Sequence, residues 1–339
     1  MTQEFRKTMQ EAFKELLDIQ AGGKKPSKCR YELLNKNLLG GFRPGTICIL
    51  GGTSGAGKTT LAQHIREDFL DVNLNPHAIY TTYHQFQWEM TPLNLLLRDL
   101  KSEFGFSMYS LLNNKFSPDE EERVAAYLQK SPKLKGYINS EALTPKQWYE
   151  SCMKFLESQR DKYHVCIETD HIALGRGAKK KEVIDNMMEY ANQLKLKYKN
   201  SSFIFLSQLN REIGKRSSDP RFAKPERGDL YASDTAFHIA DLVLVIDSPY
   251  RRGLEKYMVV RTENKLMQPY IKYMHTPDAK YSSFKTEGLS FHHYLKIRQN
   301  DDIQNTQELG IVELFPWEDA PQDDGRITSA PRDDENPFA

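Results

Sequence analysis

Apolar residues along this chain follow two rhythms. Five short unbroken runs, Ile47–Gly51, Ala78–Thr82, Val165–Thr169, Phe203–Ser207 and Leu242–Asp247, read as strands buried on both faces. Between them, longer stretches repeat apolar positions every three or four residues. Lys58–Phe69, Pro92–Glu103, Pro118–Gln129 and Lys181–Tyr198 are therefore predicted as helices. Strands alternating with helices imply a parallel sheet covered on both faces, because parallel neighbours need a crossover. After Tyr257 the rhythm changes. Tyr257–Arg261, Tyr270–Met274, His292–Ile297 and Ile311–Phe315 are short strand-like runs joined by turn-rich segments, which predicts added antiparallel strands. At the other end, residues 4–18 place Phe5, Met9, Ala12, Phe13, Leu16 and Leu17 on one helical stripe. A linker from Ala21 to Ser27 follows, flexible at Gly22-Gly23 and stiffer at Pro26.

Three units result: an N-terminal helix and linker (1–30), an α/β domain (31–315) and a tail (316–339) whose Pro, Asp and Ser content predicts disorder. The bulk composition, 27% charged and 39% hydrophobic, is that of an ordinary globular chain. No apolar run reaches the roughly 18 residues of a bilayer span, and the charged N-terminus does not read as a signal peptide. Cys29, Cys48, Cys152 and Cys166 are scattered and form no metal-ligand pair. The expectation is a reducing, cytoplasmic setting without zinc or disulfides. Charge adds one feature. The net +1 conceals a tail from Pro316 to Ala339 with seven acidic and two basic residues, leaving the body at about +6. A basic body with an acidic tail suits a nucleic-acid-binding protein that also docks other proteins.

The clearest chemistry lies in Gly52-Thr53-Ser54-Gly55-Ala56-Gly57-Lys58-Thr59, followed by Thr60, which fits G-x-x-x-x-G-K-[ST] without a gap. A buried strand precedes it and a helix follows. Glycines let the backbone curl so that its N–H groups face phosphate oxygens, and the helix N-terminus adds partial positive charge. Lys58 is expected at the β- and γ-phosphates and Thr59 on Mg²⁺, which points to a P-loop ATPase using ATP and Mg²⁺. Such a site needs an acidic residue on a neighbouring strand. Asp170, ending the third run, is the first candidate; Glu168 is the second, with strand alternation expected to turn it away. Glu89, shortly after the second run, is the candidate to orient the attacking water.

These motifs carry a family resemblance. From about Phe5 to Phe315 the chain resembles the ATPase domain of DnaB-type hexameric replicative helicases, which are RecA-like. Leu39-Gly40-Gly41-Phe42-Arg43-Pro44-Gly45 looks like the family's lead-in to the P-loop strand. Trp88-Glu89-Met90 resembles its Leu-Glu-Met motif, which implies that Glu89 is the catalytic base. Asp170-His171-Ile172-Ala173-Leu174 resembles Asp-Tyr-Leu-Gln-Leu, which implies that Asp170 holds the metal. Ser207-Gln208-Leu209-Asn210-Arg211 matches Ser-Gln-Leu-Asn-Arg, so Gln208 would sense the γ-phosphate. Asp229-Leu230-Tyr231-Ala232-Ser233 through Val243 is similar to a channel-facing segment that holds the DNA backbone. Lys296-Ile297-Arg298-Gln299-Asn300 resembles a Lys-x-Arg-Asn strand that reaches the neighbouring subunit's ATP, with Arg298 as finger and Lys296 assisting. An extra stretch near 251–290 leaves Arg261 and Lys265 as the alternative finger.

The resemblance implies a RecA-like P-loop NTPase with a mostly parallel sheet flanked by helices, acting on single-stranded DNA as a homo-oligomeric, hexameric ring. The chain departs from the pattern in three places. Only the 4–18 helix and linker stand where a collar domain is expected. Tyr231-Ala232 replaces an Arg-Glu pair, exchanging a phosphate-binding cation for a ring that can stack on a base. Ala173 replaces a Gln. Arg176, Lys179, Lys180 and Lys181, then Arg211, Lys215 and Arg216, form basic runs that either line the DNA channel or merely face solvent, with Tyr231 and Ser233 added from the channel segment. The helical stripe at 4–18 packs either on a neighbouring subunit or on its own core. The acidic tail, ending Asp333-Asp334-Glu335-Asn336-Pro337-Phe338-Ala339, suits docking to a primase, polymerase or other replication protein. A RecA-family ATPase that does not unwind, such as a recombination accessory, helicase loader or regulator, is the competing reading. A small-molecule kinase would need a lid with clustered arginines, which the sequence lacks.

Overall fold

The computed structural model describes residues 5–23, 25–131, 134–177, 179–210, 213, 225, 227–230 and 234–247, and as backbone the strands at 256–257, 260–261, 270–275, 291–298 and 302–313. In chain order the strands are β1 (Ile47–Gly52), β2 (Thr81–Gln87), β3 (Tyr137–Asn139), β4 (His164–Asp170), β5 (Ser201–Gln208), β6 (Leu242–Asp247), β7 (Lys256–Tyr257), β8 (Val260–Arg261), β9 (Tyr270–His275), β10 (Phe291–Arg298) and β11 (Asp302–Glu313). Six of them form a parallel sheet in the order β3-β2-β4-β5-β1-β6. Beyond β6, the strands β9, β10 and β11 continue the sheet in antiparallel fashion. β7 and β8 pair as a separate two-stranded ribbon.

The helices are α1 (Phe5–Gln20), α2 (Glu32–Asn37), α3 (Lys58–Phe69), α4 (Pro92–Phe104), α5 (Met108–Asn113), α6 (Pro118–Lys130), α7 (Pro145–Ser158), α8 (Lys180–Lys197) and a short α9 (Asp234–Ile239). Strand alternation divides each apolar run between two cores. Ile47, Ile49, Phe203 and Phe205 pack with Trp148 and Leu156 of α7 and Met187 and Met188 of α8. Cys48, Leu50, Ile204 and Leu206 pack on the other face with Leu61, Ile65 and Phe69 of α3. Both faces of the parallel strands are thus covered, which explains their lack of polar alternation. No helix among the described residues is long and apolar enough to cross a membrane.

The structure corrects several boundaries. Pro76–Tyr80 forms a 3-10 turn, and the strand expected at Ala78–Thr82 instead runs from Thr81 to Gln87. Thr81, Thr82, Gln85 and Gln87 look like surface residues in sequence, but the fold buries all four. β11 begins at Asp302 rather than Ile311, and the expected 257–261 strand is the β7–β8 ribbon. α5, α7 and edge strand β3 were not expected. α7 carried a local signal, since Thr144 and Gln147 form a reciprocal capping box with Pro145 at the first position. α1 buries none of its residues, and Phe5 and Phe13 are 77% and 58% exposed. Its stripe therefore does not cover this subunit's core. The tail lies outside the described residues.

Candidate active site

Gly52 ends β1 where a side chain has no room: a Cβ there would sit 2.5 Å from the Ile246 carbonyl oxygen. The chain then curls through Thr53–Ala56 to Gly57, whose φ of 102° favours glycine. Gly57 caps α3 without a side-chain hydrogen bond, so the first-turn N–H groups are not taken by a cap residue. Ser54 and Gly55 form the exposed rim of the loop and Ala56 its buried wall. Lys58 is buried and folds back on the loop, donating to the Gly52 and Thr53 carbonyl oxygens at 2.9 and 3.0 Å. Burial pulls its ammonium down, and the Glu89 and Asp170 carboxylates oppose that shift.

Asp170 meets this loop from the end of β4. Thr59 Oγ1 donates to Asp170 Oδ2 at 3.1 Å, and Gln87 Nε2 donates to the same oxygen at 3.2 Å. Oδ1 is buried and has no hydrogen-bond partner among the described residues. Burial pushes this carboxyl above its ordinary range; the Gln87 hydrogen bond counters that and the Glu89 charge adds to it. Gln87 pairs with Asp170 across the β2–β4 ladder, and its Oε1 accepts the backbone N–H groups of Glu89 and Met90 at 3.0 and 3.2 Å. Trp88 N–H adds a bond to the Asp170 carbonyl at 2.7 Å. The turn bearing Glu89 is therefore pinned to the carboxylate strand, while the Glu89 side chain stays exposed.

Glu168 does not turn away from Asp170. Two residues apart on a strand, they share a face. Glu168 lies fully buried beneath it, accepting from Tyr83 Oη at 2.5 Å and Gln85 Nε2 at 2.8 Å. Burial raises its carboxyl to about 7. Both of its oxygens are engaged by the protein, whereas Asp170 keeps one unused. Gln208 ends β5 beside Gly52 in the β1–β5 ladder. Its backbone N–H lies 3.0 Å from His171 Nε2, and Ala173 N–H lies 3.1 Å from His171 Nδ1. A neutral imidazole accepts at one nitrogen only, so His171 binds one of these amides at a time. Burial holds the ring neutral by lowering it to about 4.

The remaining candidates are not gathered at this centre. β10 runs in the direction of β1, so Arg298 lies at the loop's end of the sheet, with β9 and β6 between them. The side chains of Lys296, Arg298 and Arg261 lie outside the described residues, as do Arg211, Lys215, Arg216, Tyr231, Ser233 and Lys265. Arg176 and Lys179 are surface cations, 3.6 Å from Glu141 and 3.0 Å from Glu182, and Lys180 opens α8. Sequence reasoning missed Gln87, His171 and Arg98 of α4, whose Nη2 donates to Thr60 Oγ1 at 2.6 Å. Each joins segments that are separated along the chain, and no local pattern marks it.

A model of the DnaB-like helicase C-terminal domain matches residues 28–269. The chain belongs to that family. The solved ATPase domain of G40P superposes with this DnaB-like chain at a TM-score of 0.67 and 11% identity, covering 90% of this chain and 99% of that one. A DnaB-like replicative helicase, solved with its interactions with primase, gives 0.60 and 12%, covering 82% of this chain and 63% of that one. This chain therefore spans less than two thirds of that helicase. At such identities the likeness is one of fold, the RecA-like P-loop ATPase fold. No curated protein sequence matches the chain.

Proposed function

We propose that this DnaB-like chain hydrolyses ATP with Mg²⁺ and uses the turnover to move along single-stranded DNA and separate duplex. One observation carries the phosphate chemistry: a buried carboxylate, Asp170, shares one oxygen with the Thr59 hydroxyl beside Lys58 and keeps the other without a partner among the described residues. A buried acceptor without a partner is costly, and a hard cation with oxygen ligands is what relieves it. Thr59 and Asp170 are suited to hold Mg²⁺, Asp170 through water. When bound, Mg²⁺ offsets charge on the β- and γ-phosphate oxygens. The chain's own groups do the rest. The loop amides and α3 bind phosphate, Lys58 leaves its carbonyl partners for the β- and γ-oxygens, and Glu89 orients the attacking water and takes its proton. Gln208, at the adjoining strand end, reads the γ-phosphate.

Assembly follows from two features. Arg298 with Lys296 would complete the site of a neighbouring subunit, which requires a head-to-tail interface that closes into a ring. The exposed stripe of α1 supports it as the connector, and the exposed Met108, Tyr109 and Leu112 of α5 offer apolar surface of the kind it needs. Arg176, Lys179 and Lys180, with Arg211, Tyr231 and Ser233, are proposed for the DNA channel, and the acidic tail for docking a replication protein in the cytoplasm. Tyr231-Ala232 favours a second reading, an ATPase of this family that does not unwind, because it removes a cation from the DNA loop. A strand-displacement assay on a forked duplex with ATP and Mg²⁺ separates the two. Displacement by the parent, lost in Glu89→Gln, supports a motor; DNA-stimulated ATPase without displacement supports the second reading.

A further inference from the structure

Arg98 belongs to none of the motifs, yet it touches the neighbours of two proposed functional residues. It projects from α4 toward the start of α3, where Nη2 donates to Thr60 Oγ1 at 2.6 Å, and Nη1 lies 3.7 Å from Met90 Sδ. Thr60 follows Thr59, and Met90 follows Glu89. Neither partner is a carboxylate, the usual companion of a guanidinium withdrawn from water. Burial disfavours the charge, and the carboxylates of Asp170, Asp99 and Glu89 offset that cost. One residue along, Asp99 accepts from Gln63 Nε2 at 3.0 Å, a second tie between α4 and α3. The Thr91 side chain caps α4 immediately after the Glu89 turn.

The Glu89 turn is thus held on two sides. Gln87 fixes its backbone to β4, and Arg98 fixes its far side to α3. The Glu89 side chain itself is exposed, so its placement depends on this turn. We propose that Arg98 is a positioning residue for Glu89, a clip that sets the spacing between the Glu89 turn and the Thr59 end of α3. The proposal rests on the reading of Glu89 as the group that orients water. A rigid planar fork holds two acceptors at a fixed separation; a lysine's single nitrogen on a flexible stem does not fix that separation. A misplacement of about 1 Å costs roughly 100-fold in rate, so the clip acts on turnover rather than on nucleotide binding.

The test measures ATPase kcat and KM and the Kd of a fluorescent ADP analogue for the full chain and four variants: Arg98→Met, Arg98→Lys, Glu89→Gln, and Glu89→Gln with Arg98→Met. Arg98→Met is expected to lower kcat about 10–100-fold with Kd changed less than about twofold, and Arg98→Lys to fall between it and the parent. In the Glu89→Gln background, Arg98→Met is expected to cost nothing more, because the positioned group is already gone. Parental kcat in Arg98→Met, equal losses of kcat with and without Glu89, or a Kd that weakens in step with kcat each overturns the proposal. Should Arg98→Met fail to fold, Arg98→Lys decides alone: lower kcat at unchanged Kd supports the clip, and parental kcat removes it. Glu89→Gln turning over at the parental rate overturns the base assignment and the clip together. An inactive Glu89→Gln beside a parental Arg98→Met overturns the clip only.

Discussion

β4 begins and ends in a buried ionisable side chain, and the two ends follow opposite rules. At its start, His164 has both ring nitrogens engaged: Nδ1 lies 2.8 Å from Ser27 Oγ and Nε2 lies 2.7 Å from Ser202 Oγ. His77 Nε2 closes the group at 3.1 Å from Ser27. At its end, Asp170 shares one oxygen with Thr59 and Gln87 and leaves the other without a partner among the described residues. Both residues are fully buried. The start of the strand is closed within the protein and serves stability, joining the linker residue Ser27 to the sheet. The end pays a desolvation cost that a ligand would relieve. Burial alone does not separate the two ends; hydrogen-bond satisfaction does.

The largest test of this contrast is Lys58→Ala. Turnover should fall by about 10³-fold, since the ammonium is the cation preorganised for phosphate charge, while the urea midpoint stays near the parental value. Steady-state ATPase and denaturant melts of the same preparation measure both. Glu89→Gln should lower turnover by roughly 100-fold and keep nucleotide binding, because it removes a proton acceptor and little charge-independent contact; equilibrium binding of an ADP analogue checks the second half. Asp170→Asn sharpens the comparison. Because burial raises this carboxyl, its ionised form weakens the ligand-free fold at neutral pH. The variant should lose Mg²⁺-dependent turnover by at least about tenfold yet melt at the parental urea concentration or above it. A large drop in apo stability would place Asp170 with His164 as a structural group.

The smallest effects on turnover belong to the other end. Ser202→Ala leaves His164 Nε2 without its partner and should cost about 1–3 kcal/mol, with kcat of the folded protein unchanged. The same end has a pH signature. Burial lowers His164 to about 3, whereas an unfolded histidine titrates near 6.5. Between these values the unfolded chain binds the extra proton. The stability conferred by neutral His164 is therefore complete above pH 6.5 and is lost as pH falls toward 3, at about 1.4 kcal/mol per pH unit. His164→Gln should flatten the parental stability slope between pH 6 and 4 by that amount. Denaturant melts at several pH values would show an unchanged slope if His164 carries no such linkage.

The primary structure alone determined what local pattern can encode. Unbroken apolar runs mark strands buried on two faces, because a fully covered strand has no polar side to show. A glycine-rich loop followed by Lys58-Thr59 is readable because every group it needs is contiguous and comes with its own strand and helix. A carboxylate ending the third buried run, Asp170, was also legible, as was the stripe on α1. What the stripe packs against was not legible, and the fold excludes its own core. Only the tertiary structure decided the rest. Gln87 stands beside Asp170 through the β2–β4 register, His171 beside Gln208 through the meeting of β4 and β5, and Arg98 beside Thr60 through the docking of α4 on α3. It also brought Tyr83 and Gln85 of β2 to Glu168 and occupied both of its oxygens, which separates two carboxylates that look alike along the chain. The physical reason is that hydrogen-bond satisfaction is a property of three-dimensional neighbours. Sequence names the polar groups that must be buried, and the packing of distant segments determines which of them are left a partner short.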